Sequence, residues 1–262
     1  MFDIHYHLLF GVDDGPKTLD ESLALAEASI KEGVTHIVAT PHSNHEFVFD
    51  PKINREKIAE LDAHLKGRLT LGLGCDFHLS YENLEDVGRN RGKYTINGKQ
   101  YLLVEFANSS IPATATDILY GLQLTGVIPI ITHPERNPIL VQNPRRLTEW
   151  IRGGCLVQVT AASLTERFGR RAKAMGFDLI RKNWVHFIAS DAHSVAGRPP
   201  AMGEAYRVLT NEFGRETADR LCTLNPGAAF HGEPLGPQPE PLDIYEQTPP
   251  VRRGFLKGIF GR

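Results

Sequence analysis

Cysteine is scarce in this chain of 262 residues. The three thiols, Cys75, Cys155 and Cys222, are odd in number, far apart and in no C-x-x-C pattern. That suits a reducing compartment and leaves no thiolate zinc site. Excess charge of either sign is also missing. Lys and Arg number 29 against 31 Asp and Glu, a formal net charge of −2. This argues against bulk electrostatic binding to nucleic acid while leaving room for a local basic pocket. No apolar run approaches the ~18 residues of a membrane span. No basic-then-apolar leader precedes the first strand, and no internal repeat is visible. A cytosolic globular protein is expected.

The composition that remains is ordinary for a globular chain, 41% hydrophobic and 23% charged. The length fits one large α/β domain at least as well as two small ones. Short β-rich runs predict strands at Phe2–His5, His36–Thr40, Leu69–Cys75, Tyr101–Phe106, Val127–Thr132, Cys155–Thr160 and Val185–Ser190. Amphipathic stretches between them, at Leu19–Glu32, Arg55–Leu65, Ala113–Leu124, Arg145–Arg152 and Gly169–Lys182, predict helices. Alternation of this kind implies parallel strands joined by right-handed crossovers. Seven such strands in one domain suggest a closed or nearly closed barrel. Asn97-Gly98 reads as a hairpin turn ahead of the fourth strand. From Gly232 the chain turns proline-rich (GEPLGPQPEPLDIYEQTPP) and ends VRRGFLKGIFGR, with four basic residues and no acidic one. The expected division is therefore a domain over 1–231 and an extended, mobile tail over 232–262. Its basic, aromatic end is either disordered or a short amphipathic segment that touches an anionic membrane surface or a partner.

In α/β barrels, functional groups gather at the C-terminal ends of the strands. Here those ends read DIHYH with Asp13 and Asp14 beyond, ATPHSNH, GLGCDFH, LLVEF, THPERN, VQVTAAS and FIASDAHS. A lone H-x-H is more often a polar rim than a metal site, yet six of these seven ends carry a His or a carboxylate. Glu105 closes an apolar run, and burying an unpaired carboxylate is costly unless a cation compensates. His5, His7, His42, His133, His193, Asp14, Asp76, Glu105 and Asp191 offer too many N/O ligands for one ion. They suit two or three ions about 3.5–4 Å apart. Imidazole mixed with carboxylate favours Mn, Fe or Zn over Ca or Mg. Clustered divalent ions beside guanidinium groups suit phosphate ester hydrolysis. Arg136 and Arg198 are the candidate phosphate binders. Asn44, His45 and His78 stand between helping that site and lining a plain rim, with Asn44 and His45 as candidate substrate contacts. Glu135 is open between ligand and helix cap.

These motifs resemble the polymerase and histidinol phosphatase (PHP) superfamily, and within it the bacterial PHP-type protein tyrosine phosphatases of capsule and exopolysaccharide loci. The resemblance runs over roughly residues 1–225. Its more specific motifs are DDGPKT and the GRPP that follows SDAH. It implies a distorted (β/α)7 barrel with a trinuclear metal centre, most readily Mn2+, at the C-terminal ends of the strands. Carried over by motif, His5, His7, Glu105 and Asp191 would share one ion. Asp14, His42 and His193 would share another, and His133 with shared carboxylates would hold the third. Gly74-Cys75-Asp76 stands where the family often has G-A-E, so the shorter Asp76 replaces a glutamate. The resemblance further implies single-step hydrolysis without an enzyme-bound phosphate, and no cysteine here sits in a C-x5-R pattern. The implied substrate is the Tyr-rich tail of a membrane-associated bacterial tyrosine kinase that governs polysaccharide export. That places the protein in the cytoplasm, with the basic tail as a device for working at the inner membrane face. A small-molecule phosphatase, such as one for histidinol phosphate, would share the same ligands and differ in the loops Ser43–Asp50 and His78–Arg91. A catalytically silent PHP binding module would usually have lost some of them.

Overall fold

Apolar runs bounded by caps become the strands and helices of the chain. The computed structural model describes residues 1–245. The first half contains β1 (Phe2–Tyr6), α1 (Leu19–Lys31), β2 (His36–Ala39), β3 (His42–Ser43) and α2 (Pro51–Leu65). It continues with β4 (Thr70–Leu73), β5 (Asp76–His78), α3 (Tyr81–Arg89), β6 (Tyr101–Glu105) and α4 (Ala115–Leu124). The second half contains β7 (Ile128–Thr132), α5 (Pro138–Gln142), α6 (Arg145–Arg152), β8 (Leu156–Thr160), α7 (Ala161–Leu164) and α8 (Gly169–Arg181). Then come β9 (Phe187–Ala189), α9 (Met202–Phe213), α10 (Arg215–Asp219) and α11 (Asn225–His231). Capping residues mark several starts. Asp50 accepts from the Lys52 and Ile53 amides with Pro51 at the first turn of α2, and Asn137 does the same for α5.

Every named strand pairing is parallel. One sheet runs β1-β2-β4 and the other β3-β5-β6-β7-β8-β9. The seven expected strands are present, but the second and third are each broken into two. Pro41 has no amide hydrogen to continue the ladder, and the Thr40 hydroxyl takes over as acceptor for the Tyr6 amide at 2.9 Å. At Gly74 an added Cβ would lie 3.0 Å from the Val38 side chain and 3.3 Å from that of Thr40, so the missing side chain lets the chain bend close to β2. The broken halves stay in register across the bend, because Gly74 N–H donates to Ala39 and Asp76 N–H to Pro41. On the far side, Asp191 N–H donates to the His5 carbonyl and His7 N–H to the Ala192 carbonyl. The segment after β9 thus returns to β1, and the whole is a distorted (β/α)7 barrel.

Ile4, Val38, Leu103, Ile130 and Phe187 pack together in the barrel interior. Tyr6, Ile37, Val104, Ile131, Val159 and Ile188 belong to the outer layer under the helices. In β1 the register slips by one residue between Asp3 and Tyr6. Such a bulge re-aims the strand end, so Ile4 fills the interior while Tyr6 faces out and bonds Leu25 and Ser29 of α1.

Three expectations change. Asn97-Gly98 does turn the chain through positive φ at both residues, but it makes no hairpin, since β6 pairs only in parallel with β5 and β7. The turn closes the barrel base instead: the Asn97 side chain accepts from Leu73 N–H and donates to the Phe230 carbonyl. Residues 78–91, expected as a loop, contain helix α3, whose start is capped by the Ser80 hydroxyl. The described part of the proline-rich stretch, residues 232–245, contains no helix or strand and is fixed to the barrel. Tyr101 OH donates to Glu233, Trp184 Nε1 to Leu242 and Leu242 N–H to Lys182. The basic, aromatic end lies outside the described residues. Among the described residues, no helix is long and apolar enough to cross a membrane.

Candidate metal centre

The nine expected ligands converge at one mouth of the barrel. In four overlapping sets, each residue offers one ligand atom within 4.8 Å of the others. These sets are His7, Asp14, His42, His193; His42, Asp76, His78, Glu105; His5, His7, Asp76; and His5, His133, Asp191. His5, His7 and Asp76 are fully buried, while Asp14 keeps half its side chain exposed at the entrance. The grouping implied by the resemblance changes in several respects, among them that His133 sits with His5 and Asp191. Asp14, His42 and His193 do meet, and His7 joins them, but Glu105 sits with His42, Asp76 and His78 instead of His5. The break between β4 and β5 brings this about, since it places Asp76 opposite His42 and His78 opposite Glu105 in neighbouring strands.

Three of the imidazoles are aimed by a partner on the far nitrogen. His5 Nδ1 bonds Gln158 Oε1 at 3.1 Å, and His7 Nδ1 bonds Asp13 Oδ2 at 2.7 Å. Asp13 is itself held by the Gly15 amide at 2.9 Å. An added Cβ at Gly15 would stand 2.7 Å from the His7 carbonyl, so only glycine fits this loop. His193 Nδ1 lies 3.0 Å from the Asp191 carbonyl oxygen. What remains is the set of inward-facing atoms. His5 Nε2, His7 Nε2, His42 Nδ1 and both Asp76 carboxylate oxygens are buried without a hydrogen-bond partner. Orphaned polar atoms of this kind are costly. A cluster of imidazole and carboxylate lone pairs facing one another is the donor set that divalent cations require. The residues fit metal.

The electrostatics agree. Burial works against a charged imidazole at His42, yet Asp14, Asp76 and Glu105 outweigh it and push its pKa up to about 11. His5 is likewise buried, but Asp191 and Asp76 push it up to about 9. Burial alone would raise the Asp76 and Asp191 carboxyls; the surrounding imidazoles, joined at Asp191 by both arginines, hold them well below the carboxylate range. Without a metal, protons on His5 and His42 balance the carboxylates, while burial and the neighbouring His7 hold His193 down to about 4. Backbone strain marks the same place: His133 (φ 32°) and Asp191 (φ 53°) adopt left-handed conformations that cost non-glycine residues energy.

Both arginines reach the centre. Arg136 and Arg198 each contact the same Asp191 oxygen. Arg136 lies over the Phe168 ring at 4.2 Å, and Arg198 Nη1 is 2.9 Å from His193 Nε2. Arg198 Nε is buried without a partner. Asn44 and His45 fall outside this constellation. The Asn44 oxygen is engaged by the Glu46 and Phe47 amides, and His45 is exposed. Together they line a cavity of about 180 Å³ that borders His78 and Glu105. Glu135 is a cap, accepting from the Thr160 amide and the Ser163 hydroxyl at the start of α7. Sequence reasoning passed over Gln158 because it does not titrate, and it set Asp13 behind its neighbour Asp14. The signals were a polar residue inside the apolar run LVQVT, and an Asp two residues before a required glycine.

A family model described as capsular polysaccharide synthesis, CpsB/CapC, matches residues 1–231. Tyrosine-protein phosphatase YwqE of Bacillus subtilis is 35% identical over 265 residues, covering 99% of this chain and 100% of the relative. Tyrosine-protein phosphatase CpsB of Streptococcus agalactiae serotype V is 32% identical, covering 86% of this chain and 96% of the relative. A crystal structure from the pair YwqE of B. subtilis and CpsB of Streptococcus pneumoniae, described as metal-dependent tyrosine phosphatases, superposes with a TM-score of 0.86. It is 34% identical and covers 92% of this chain and 99% of that one.

Proposed function

The chain belongs to the capsular polysaccharide synthesis CpsB/CapC family, and from that premise we propose that it is a metal-dependent phosphatase that removes phosphate from tyrosine side chains of proteins. The observation that carries this reading is the convergence of six imidazoles, four carboxylates and two guanidinium groups at one barrel mouth. Divalent cations bound there would supply Lewis acidity, a lowered pKa for bound water and a clamp on phosphate oxygens. Two or three ions fit the donor count, and Mn2+ is the first candidate, ahead of Fe and Zn.

The chain's own residues do the rest. His5, His7, Asp14, His42, Asp76, Glu105, His133, Asp191 and His193 hold the ions. Asp13 and Gln158 fix the tautomers and ring planes of His7 and His5. Arg136 and Arg198 take the phosphate oxygens, with Asp191 keeping both guanidinium groups oriented toward the mouth. Asn44 and His45 form a rim for peptide flanking the phosphotyrosine. No thiol takes part: Cys75, Cys155 and Cys222 are all buried, and burial pushes the Cys155 thiol up to about 12.

The catalytic unit is residues 1–231, with 232–262 as a C-terminal extension. The physiological substrate is the tyrosine-rich tail of a membrane-associated bacterial kinase, met at the cytoplasmic face of the membrane. Deleting Pro250–Arg262 then weakens liposome binding and disperses the protein in the cell; unchanged behaviour in both assays removes the membrane role of the tail. The reaction itself is tested by hydrolysis of a phosphotyrosine peptide beside histidinol phosphate, with Mn2+ or with chelator. Faster turnover of the peptide, abolished by chelator, is expected. Preference for histidinol phosphate would move the function to small-molecule metabolism.

A further inference from the structure

Two grooves open directly on the candidate ligands, and a third on Arg136. The groove bordering Glu105 and His78 has a volume of about 180 Å³, below the range usual for ligand pockets. The groove beside Arg136, of about 310 Å³, also presents Glu135 and Arg171, charged groups that an aryl ring would desolvate. The remaining groove is different in kind. It measures about 610 Å³, starts at Asp14, His193 and Arg198, and runs between the Asp14–Pro16 loop with α1 on one side and residues 194–197 on the other. Beyond the charged end its walls are Pro16, Ala24, Val195 and Ala196, with the exposed Glu21 of α1 at the rim, its carboxylate accepting from the Lys17 amide.

Both walls are held in place. On one side Gly11 N–H donates to the Pro16 carbonyl at 2.8 Å, and Lys17 Nζ donates to the Asp13 carbonyl at 2.7 Å. On the other, the Ser194 hydroxyl accepts from the Gly197 and Arg198 amides, while His193 N–H donates to the Arg198 carbonyl. Val195 stands half exposed on this tight loop with no packing duty that would explain an apolar side chain there. The groove is therefore a preformed apolar slot whose inner end is Arg198, with its unpartnered buried Nε, and whose outer end is open to solvent.

We propose that this groove seats the aromatic ring of the phosphotyrosyl side chain, with the phosphate at its Arg198 end and the polypeptide leaving past Val195. The proposal rests on the phosphatase reading above. A solvent-open slot with Ala24 on one wall and Ala196 on the other takes up a planar ring, and the chemistry of the ester sits where the slot meets Asp14 and His193. Ala24 and Ala196 are then specificity-determining positions that touch neither metal nor phosphate.

Ala24→Trp and Ala196→Trp test this from opposite walls, and both sites are exposed enough for either variant to fold. For each, the expected result is a tenfold or greater loss of kcat/KM on free phosphotyrosine and on a phosphotyrosine peptide, carried mainly by KM. Competitive inhibition by inorganic phosphate stays within twofold of wild type. Calorimetric affinity for a peptide carrying phosphonomethylphenylalanine falls by a similar factor. Unchanged kinetics with both aryl substrates overturn the proposal. So does a loss confined to the peptide, which would assign the groove to flanking chain, or an equal loss of phosphate inhibition, which would mean a disturbed centre. Wild-type protein that hydrolyses histidinol phosphate but no phosphotyrosine overturns the phosphatase reading itself, before any variant is made.

Discussion

At the scale of single residues, metal binding turns on which nitrogen of each imidazole faces inward. Asp13 fixes His7 through Nδ1, leaving Nε2 for the centre. Asp13→Asn preserves shape but replaces the acceptor's charge. It should weaken divalent-metal affinity about 10- to 100-fold, the usual cost of losing such an orienting carboxylate, as read by metal titration. Protonation gives a second expectation. His5 and His42 have pKa values raised to about 9 and about 11 in the metal-free site, so both carry protons at pH 7. Metal must expel them. Adding Mn2+ to metal-free protein at pH 7 should release protons, and affinity should rise from pH 6 toward pH 9; calorimetry in buffers of different ionisation enthalpy measures both. Most of the ligands were legible in the sequence because each follows an apolar run that ends a buried strand, as in LLVEF. Gln158 was not, because an amide that orients a ligand leaves no charge pattern to read.

At the scale of elements, the breaks in the second and third strands make the site. If β4 had continued unbroken into β5, alternation along the strand would differ, and Asp76 would not face His42. Gly74→Val tests this. Its side chain would meet Val38, Thr40 and Ile96 at 3.0–3.4 Å. The expected destabilisation is about 1–3 kcal/mol, the range for overpacking a filled core, measured by urea unfolding, with weakened metal binding alongside. The strands themselves were legible from their apolar runs. Their breaks were not, since Pro41 and Gly74 punctuate a run without saying which neighbour each half joins. Asn97-Gly98 shows the same limit. Its local turn chemistry was read correctly, but its partner, the Phe230 carbonyl, lies 133 residues away.

At the scale of the whole molecule, the two ends of the barrel have separate duties, chemistry at the open mouth and closure at the base. The described part of the proline-rich segment belongs to the closure, through bonds to Tyr101, Asn183 and Trp184. Removing residues 232–262 should therefore lower Tm by about 5 °C or more, given that 1 kcal/mol shifts a domain of this size by about 2–4 °C. Differential scanning calorimetry decides it; an unchanged Tm would restore the picture of a free tail. His186 adds a pH dependence. Burial and the nearby Arg220 hold its pKa down to about 4, so the unfolded chain binds its proton first as pH falls. Its contribution to stability is complete above the unfolded value of about 6.5 and is lost as pH drops toward 4. The most direct test of the central claim is metal content measured with activity on one sample. Purified protein should hold two to three divalent ions per chain, lose phosphotyrosine peptide hydrolysis on chelation and regain it with Mn2+, while His5→Ala binds less metal and regains nothing. Fewer than one ion per chain, or hydrolysis indifferent to chelator, would contradict it.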